Sequence, residues 1–147
     1  MENLVEITYR LDSVSELEFK TADNINKLHL IKDNIRYQYF TKTKLGRKTD
    51  DIEICASLSY YNVESEIFSL KEVFVFQVDA LSEIVEFNEQ KREIFFKSDP
   101  IPTFLDAVCG TMRGILIEKA KGTAFEQFPL PLMNVQMLRD VNSFEIL

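Results

Sequence analysis

Proline and glycine are distributed so unevenly along this chain that they divide it. All four prolines (Pro100, Pro102, Pro129, Pro131) come after residue 99, and the preceding 99 residues hold a single glycine, Gly46. Proline removes a ladder donor and glycine weakens a strand, so a stretch nearly free of both can form long uninterrupted strands. Within it, β-branched and aromatic residues alternate with polar ones at the period of two that marks a half-buried strand. Val5, Ile7, Tyr9 and Leu11 share one face, opposite Glu6, Thr8 and Arg10. Ile35, Tyr37 and Tyr39 oppose Arg36 and Gln38, and Ile52, Ile54, Ala56, Leu58 and Tyr60 oppose Glu53, Cys55, Ser57 and Ser59. A fourth stretch runs through Phe68 and Leu70 to a nearly continuous apolar run from Val73 to Val78, which predicts cover on both faces. The polar segment Lys42 to Asp51 around Gly46 predicts a hairpin loop.

After the fourth strand, the spacing of Leu81, Ile84 and Val85 predicts a short helix or turn before Asn88. Ser98 or Asp99 can cap a helix that Pro100 and Pro102 introduce, and Phe104, Val108, Met112, Ile115 and Leu116 recur at helical spacing. The helix predicted from about 103 to 121 ends with Lys119 and Lys121 at its negative pole and Gly122 as its stop. Gly110 and Gly114 lie one turn apart inside it, each costing about 1 kcal/mol relative to alanine. Either they admit a close neighbour, such as a second subunit, or they avoid a clash with the chain's own sheet. An apolar crossover follows, with Phe125, Phe128, Leu130, Leu132 and Met133 around two prolines, then a short helix from about Asn134 to Val141 capped by Asn134.

With 147 residues, 46% hydrophobic, the chain reads as one domain over 1–147 of class α+β: a four-stranded antiparallel sheet, a long helix packed on it and a short C-terminal helix. A net charge of −7 repels phosphates and anionic lipid, which argues against nucleic-acid binding. The opening MENLVEITYRLDSVSELEF lacks a basic segment followed by an apolar run, and no 18 consecutive apolar residues occur, so the expected location is cytoplasmic without membrane insertion. No motif for catalysis, cofactor or metal emerges. His29 has no second histidine, Cys55 and Cys109 read as small buried apolar residues, and Cys109 falls in a helical pattern rather than at a nucleophile elbow. The spacing of Gly110 and Gly114 matches no phosphate-binding loop.

The apolar supply is large for one sheet and one long helix: 12 phenylalanines, 5 tyrosines and 4 methionines. A helical layer covers one sheet face, so the surplus points to a subunit interface, an exposed binding groove, or both.

Two segments carry a family resemblance. The run FEQFPLPLMNVQML, Phe125 to Leu138, combines the apolar alternation, proline and Met133-Asn134-Val135 step that follow the glycine-terminated helix of the SecB export chaperones. The strand SEIFSLKEVFVFQVDAL, Ser65 to Leu81, holds Leu70-Lys71-Glu72-Val73 where that family has Leu-x-Glu-Val. The crossover proline is one place early at Pro131, and Val135 and Gln136 replace the usual phenylalanine and aspartate. The chain therefore resembles the SecB family in its order of elements. The resemblance implies an ATP-independent holdase, a homotetramer built as a dimer of dimers, with unfolded or partly folded polypeptides as clients. Its client groove is expected at Phe74, Phe76, Phe125, Phe128, Leu130 and Met133, its oligomer interface at Gly110 and Gly114, and a SecA-type motor contact at Leu70 and Glu72. A dedicated client such as an antitoxin is an alternative to general export. A small-ligand-binding or interaction domain, or an enzyme using the cleft between sheet and helix, is a further alternative.

Overall fold

The computed structural model describes residues 8–23, 30–46, 50–88, 90–91 and 93–146. The expected antiparallel strands are present as β1 (Tyr9–Thr21), β2 (Ile35–Leu45), β3 (Asp51–Asn62) and β4 (Ser65–Val78), with a single 3-10 turn at Lys32–Asn34 before β2. Then come α1 (Leu81–Ile84), the strands β5 (Val85–Asn88) and β6 (Glu93–Phe96), the long α2 (Ile101–Ala120), α3 (Val135–Asp140) and β7 (Asn142–Ile146). The main sheet has five strands in the order β1-β4-β3-β2-β7, not four, and β5 with β6 forms a separate hairpin. The fifth strand pairs parallel to β2, the only parallel ladder in the sheet. Its five residues and the four of each hairpin strand are too short for period-two alternation to stand out.

The first strand differs most from its expected bounds. Val5, Glu6 and Ile7 lie outside the described residues, while pairing with β4 continues to Thr21. Register shifts between Leu11 and Ser13, and between Glu16 and Glu18, mark bulges at Asp12 and Leu17. Each bulge inserts an unpaired residue and flips the alternation, so no continuous period of two survives in the sequence. The hairpin loop is also shorter than Lys42 to Asp51, because Thr41, Thr43 and Leu45 are buried while Lys42 is exposed and Lys44 only partly covered. Strand alternation persists there with threonine as the inward residue.

One face of the sheet is packed by α2. Ile52, Ile54, Ala56, Leu58 and Tyr60 of β3, with Phe68, Leu70, Phe74, Phe76 and Val78 of β4, meet Phe104, Leu105, Val108, Met112 and Leu116 in one core. Phe76 stacks on Phe104 with ring centroids 4.1 Å apart. The other face of β4 is not sealed, since Val73 and Val75 stay half-buried. The apolar run over Val73–Val78 thus reflects two half-covered valines beside a fully buried row. Asp99 Oδ1 accepts from the Ile101 amide at 2.9 Å at the start of α2, and Gly122, at φ 74°, takes the left-handed conformation just past its end. Asn134 caps α3 as expected, its Oδ1 accepting from the Met137 amide at 2.9 Å.

Candidate functional site

Of the six residues expected to line a groove, four are core. Phe74, Phe76, Phe125 and Leu130 are each 3% exposed or less, turned toward α2 or sealed beneath the crossover. Phe125 packs its ring against Tyr60, Phe68 and Phe128. Only Phe128 and Met133 present accessible atoms. The period of two locates β4's inward face, but on this sheet the inward face is the one α2 covers.

Accessible apolar surface lies on both flanks of α2. On one side, the inward face of β1 carries Tyr9, Leu11, Val14 and Phe19, each about 40% exposed. They pair with the buried Val78, Phe76, Phe74 and Leu70 of β4, so they extend the core row one strand beyond the helix. Phe104 and Lys119 of α2 reach this strand: Phe104 meets Tyr9 edge to face at 4.9 Å, and Lys119 lies 4.1 Å over the Phe19 ring while its Nζ stands 2.6 Å from Glu16. Leu11 and Val14 stay 45% and 41% exposed. Leu17, pushed out by its bulge, is 64% exposed. In the main sheet β1 is an edge strand, hydrogen-bonded to β4 alone.

On the other flank, Arg113 of α2 donates through Nε to Leu130 O at 3.1 Å and through Nη2 to Pro131 O at 3.0 Å. These two bonds hold the crossover so that Leu130 points into the core and Leu132, 83% exposed, points out. Val135 and Met137 are exposed next to it in sequence. The paired prolines and the arginine one helix earlier were the available signal for this surface, and Leu132 is the residue the expected groove omitted.

Leu70 and Glu72 are buried on the helix side, so a partner docking on the sheet's open face would meet Lys71 and Val73 instead. The motor contact expected at Leu70 and Glu72 thus falls on two residues that this chain buries on its helix-covered face. Glu72 pairs with Glu16 across the ladder. Burial first, then the Glu16 carboxylate, push the Glu72 carboxyl above its ordinary value, and Lys119 pulls it back.

Gly110 and Gly114 are exposed on α2, and a Cβ at either would meet nothing within 4 Å among the described residues. Avoidance of the chain's own sheet is thus excluded as their reason. Cys109 is buried 3.8 Å from Arg113 Nη2, and burial pushes its thiol upward, as it does that of Cys55. Protonated thiols are the reverse of what a nucleophile requires. His29 lies outside the described residues. Among the described residues, no three His, Cys, Asp or Glu side chains group as a metal site, and no helix is long and apolar enough to cross a membrane. A groove of about 300 Å³ opens beside β7, between Ile101 and Leu105 of α2, Arg139 of α3, and Phe144.

No protein-family model and no curated protein matches the sequence. Among solved structures, the chain is similar to a Mycobacterium tuberculosis SecB-like chaperone determined in complex with a ChAD peptide from the HigA1 antitoxin. That likeness covers 86% of this chain and 90% of the other, with 9% identity and a TM-score of 0.51. A mostly antiparallel sheet, a long helix laid on one face and an apolar crossover into a short helix, with a likeness that covers most of both chains, give this protein the SecB-like fold.

Proposed function

We propose that this protein is a nucleotide-independent holdase that binds extended, apolar segments of unfolded polypeptide along the two flanks of α2. The observation that carries the reading is the apolar surface left open on a SecB-like fold: Leu11, Val14 and Phe19 on β1, and Leu132 with the partly exposed Phe128 and Met133 on the crossover. Apolar surface left exposed on both flanks of α2, on a chain of net charge −7, supports binding, while the charge keeps the protein dispersed and favours basic clients. Phenylalanine, leucine and methionine side chains adapt to many client sequences. The core phenylalanines Phe74, Phe76 and Phe125 act one layer down, fixing the backbone on which the open residues stand.

The oligomer in this reading is a homotetramer, with Gly110 and Gly114 on the exposed side of α2 admitting close approach of a second subunit. A dedicated client is favoured over general export, because the similar chaperone holds a peptide of one antitoxin and because Leu70 and Glu72 are turned away from any motor on the open face. Light scattering after size exclusion, alone and after mixing with a slowly folding polypeptide diluted from denaturant, tests the reading. A mass near four chains that rises on mixing without nucleotide supports it. A monomer that ignores unfolded chains overturns it and returns the small-ligand alternative.

A further inference from the structure

The fifth strand is attached in an unusual way. It follows the six-residue helix α3 rather than a hairpin turn, and it runs parallel to β2 with Thr41, Thr43 and Leu45 opposite Asn142, Phe144 and Ile146. Thr41 and Thr43 are fully buried polar residues, 1% and 0% exposed. Both hydroxyls donate to a single atom, Asn142 Oδ1, at 2.7 and 2.8 Å. Buried hydroxyls need a partner, so the flank of β2 demands an acceptor from whatever strand lies beside it. Little apolar burial adds to this grip. Phe144 is 50% exposed and beside the groove formed with Ile101, Leu105 and Arg139, and the Lys42–Glu145 ion pair at 3.0 Å is solvent-exposed and weak. A short strand held by ladder bonds and one carboxamide belongs to the least stable part of a fold.

We infer that the β2 flank is a strand-acceptor site, filled here by residues Asn142–Ile146 acting as an internal stand-in for a client. The ligand class it selects is an extended peptide with a side-chain acceptor, followed two and four places on by apolar residues. An incoming strand with that pattern repeats the Thr41 and Thr43 bonds and displaces β7, its first apolar side chain taking the place of Phe144 beside the adjoining groove. The inference rests on the holdase reading for its biological partner, but not for its geometry. Because the site is occupied in cis, the affinity for an outside strand is lowered by the fraction of time β7 stays in place.

The test uses the full chain and a fluorescent synthetic peptide of residues 141–147, read by anisotropy. Lys44 and Glu145 are register partners, so Lys44→Cys with Glu145→Cys pins β7 to β2 by a disulfide. The oxidised protein is expected to bind the peptide at least about tenfold more weakly than the same protein after reduction, and Asn142→Ala in the chain to bind it about tenfold more tightly than wild type. A peptide with alanine in the Asn142 place should lose about tenfold. Equal binding by oxidised and reduced protein, or no binding by either, overturns the inference, and this comparison decides should Asn142→Ala fail to fold. Holding of an unfolded client is measured on the same samples. Clients held while the lock changes nothing leave the holdase reading standing and sink this one; peptide exchange controlled by the lock, with no client held, does the reverse.

Discussion

Val63 is the residue whose backbone conflicts most plainly with its side chain. It sits at φ 58° in the turn between β3 and β4, where a β-branched residue is disfavoured by about 1–2 kcal/mol. Its amide donates to Asn34 O at 2.9 Å and its carbonyl accepts from Arg36 Nη2 at 2.7 Å, so the start of β2 holds the turn in place. Val63→Gly should raise unfolding free energy by about 0.5–1 kcal/mol in urea denaturation, glycine's extra chain entropy offsetting part of the relief. Tyr60 poses the opposite problem. Its ring packs on Phe68 and Phe125, while its hydroxyl is buried without a partner among the described residues and is pushed well above the usual phenol range by that burial. Tyr60→Phe keeps the ring and removes an unsatisfied group, so thermal unfolding should show a gain of about 1 kcal/mol. Neither feature was legible in the sequence: Val63 stood next to an ordinary strand end, and Tyr60 read correctly as an inward residue without any sign of what its oxygen would lack.

At the level of elements, legibility followed length and purity of pattern. The third strand and α2 were long and strongly periodic, and their buried rows came out as read except that Ile115 is only half-buried. The first strand was obscured by its two bulges, the end of the second by inward threonines, and β7 by brevity. Helix α2 carries two predictions. With open space beyond the α-carbons of Gly110 and Gly114, alanine at both should stabilise the helix by up to about 1 kcal/mol each, while a close subunit packed there would be forced away. Joint substitution should therefore raise the melting temperature of the dissociated chain yet shift scattering mass toward the smaller species. A second concerns Glu72 of β4, which lies beside the Lys119–Glu16 link between the helix and β1. Glu72 has a carboxyl raised in the folded state by burial and by Glu16, so the folded chain binds more protons than the unfolded chain through the window above the usual glutamate value. Its contribution is present below that value, about pH 4, and is lost as pH rises through the raised one. Glu72→Gln should match wild type in acid and become increasingly more stable than it toward neutral pH, as read by denaturation midpoints across the range.

For the whole molecule, the balance between core and open surface decides what the fold can do. The apolar surplus visible in composition was real, but its location depended on where α2 lies relative to the sheet edges, which no periodicity encodes. Most of the aromatic residues first assigned to a groove are inside, and the open apolar residues are those just past the helix's reach. Because the proposed client surface has two flanks, losing one should weaken holding rather than abolish it. Leu132 is nearly free of the fold and replaces no core contact, so Leu132→Asp should leave the circular dichroism spectrum and unfolding midpoint unchanged. Burying one leucine side chain against a client is worth about 1.5–3 kcal/mol, and the substitution should therefore weaken capture of an unfolded polypeptide by roughly 10- to 100-fold. Leu11→Asp should impose a smaller loss, since Leu11 is already half-covered within the sheet and has less surface left to give to a client. If both variants hold clients as wild type does, with intact folds, the flanks of α2 are not the client surface, and the strand-acceptor edge at β2 becomes the remaining place for a client to bind.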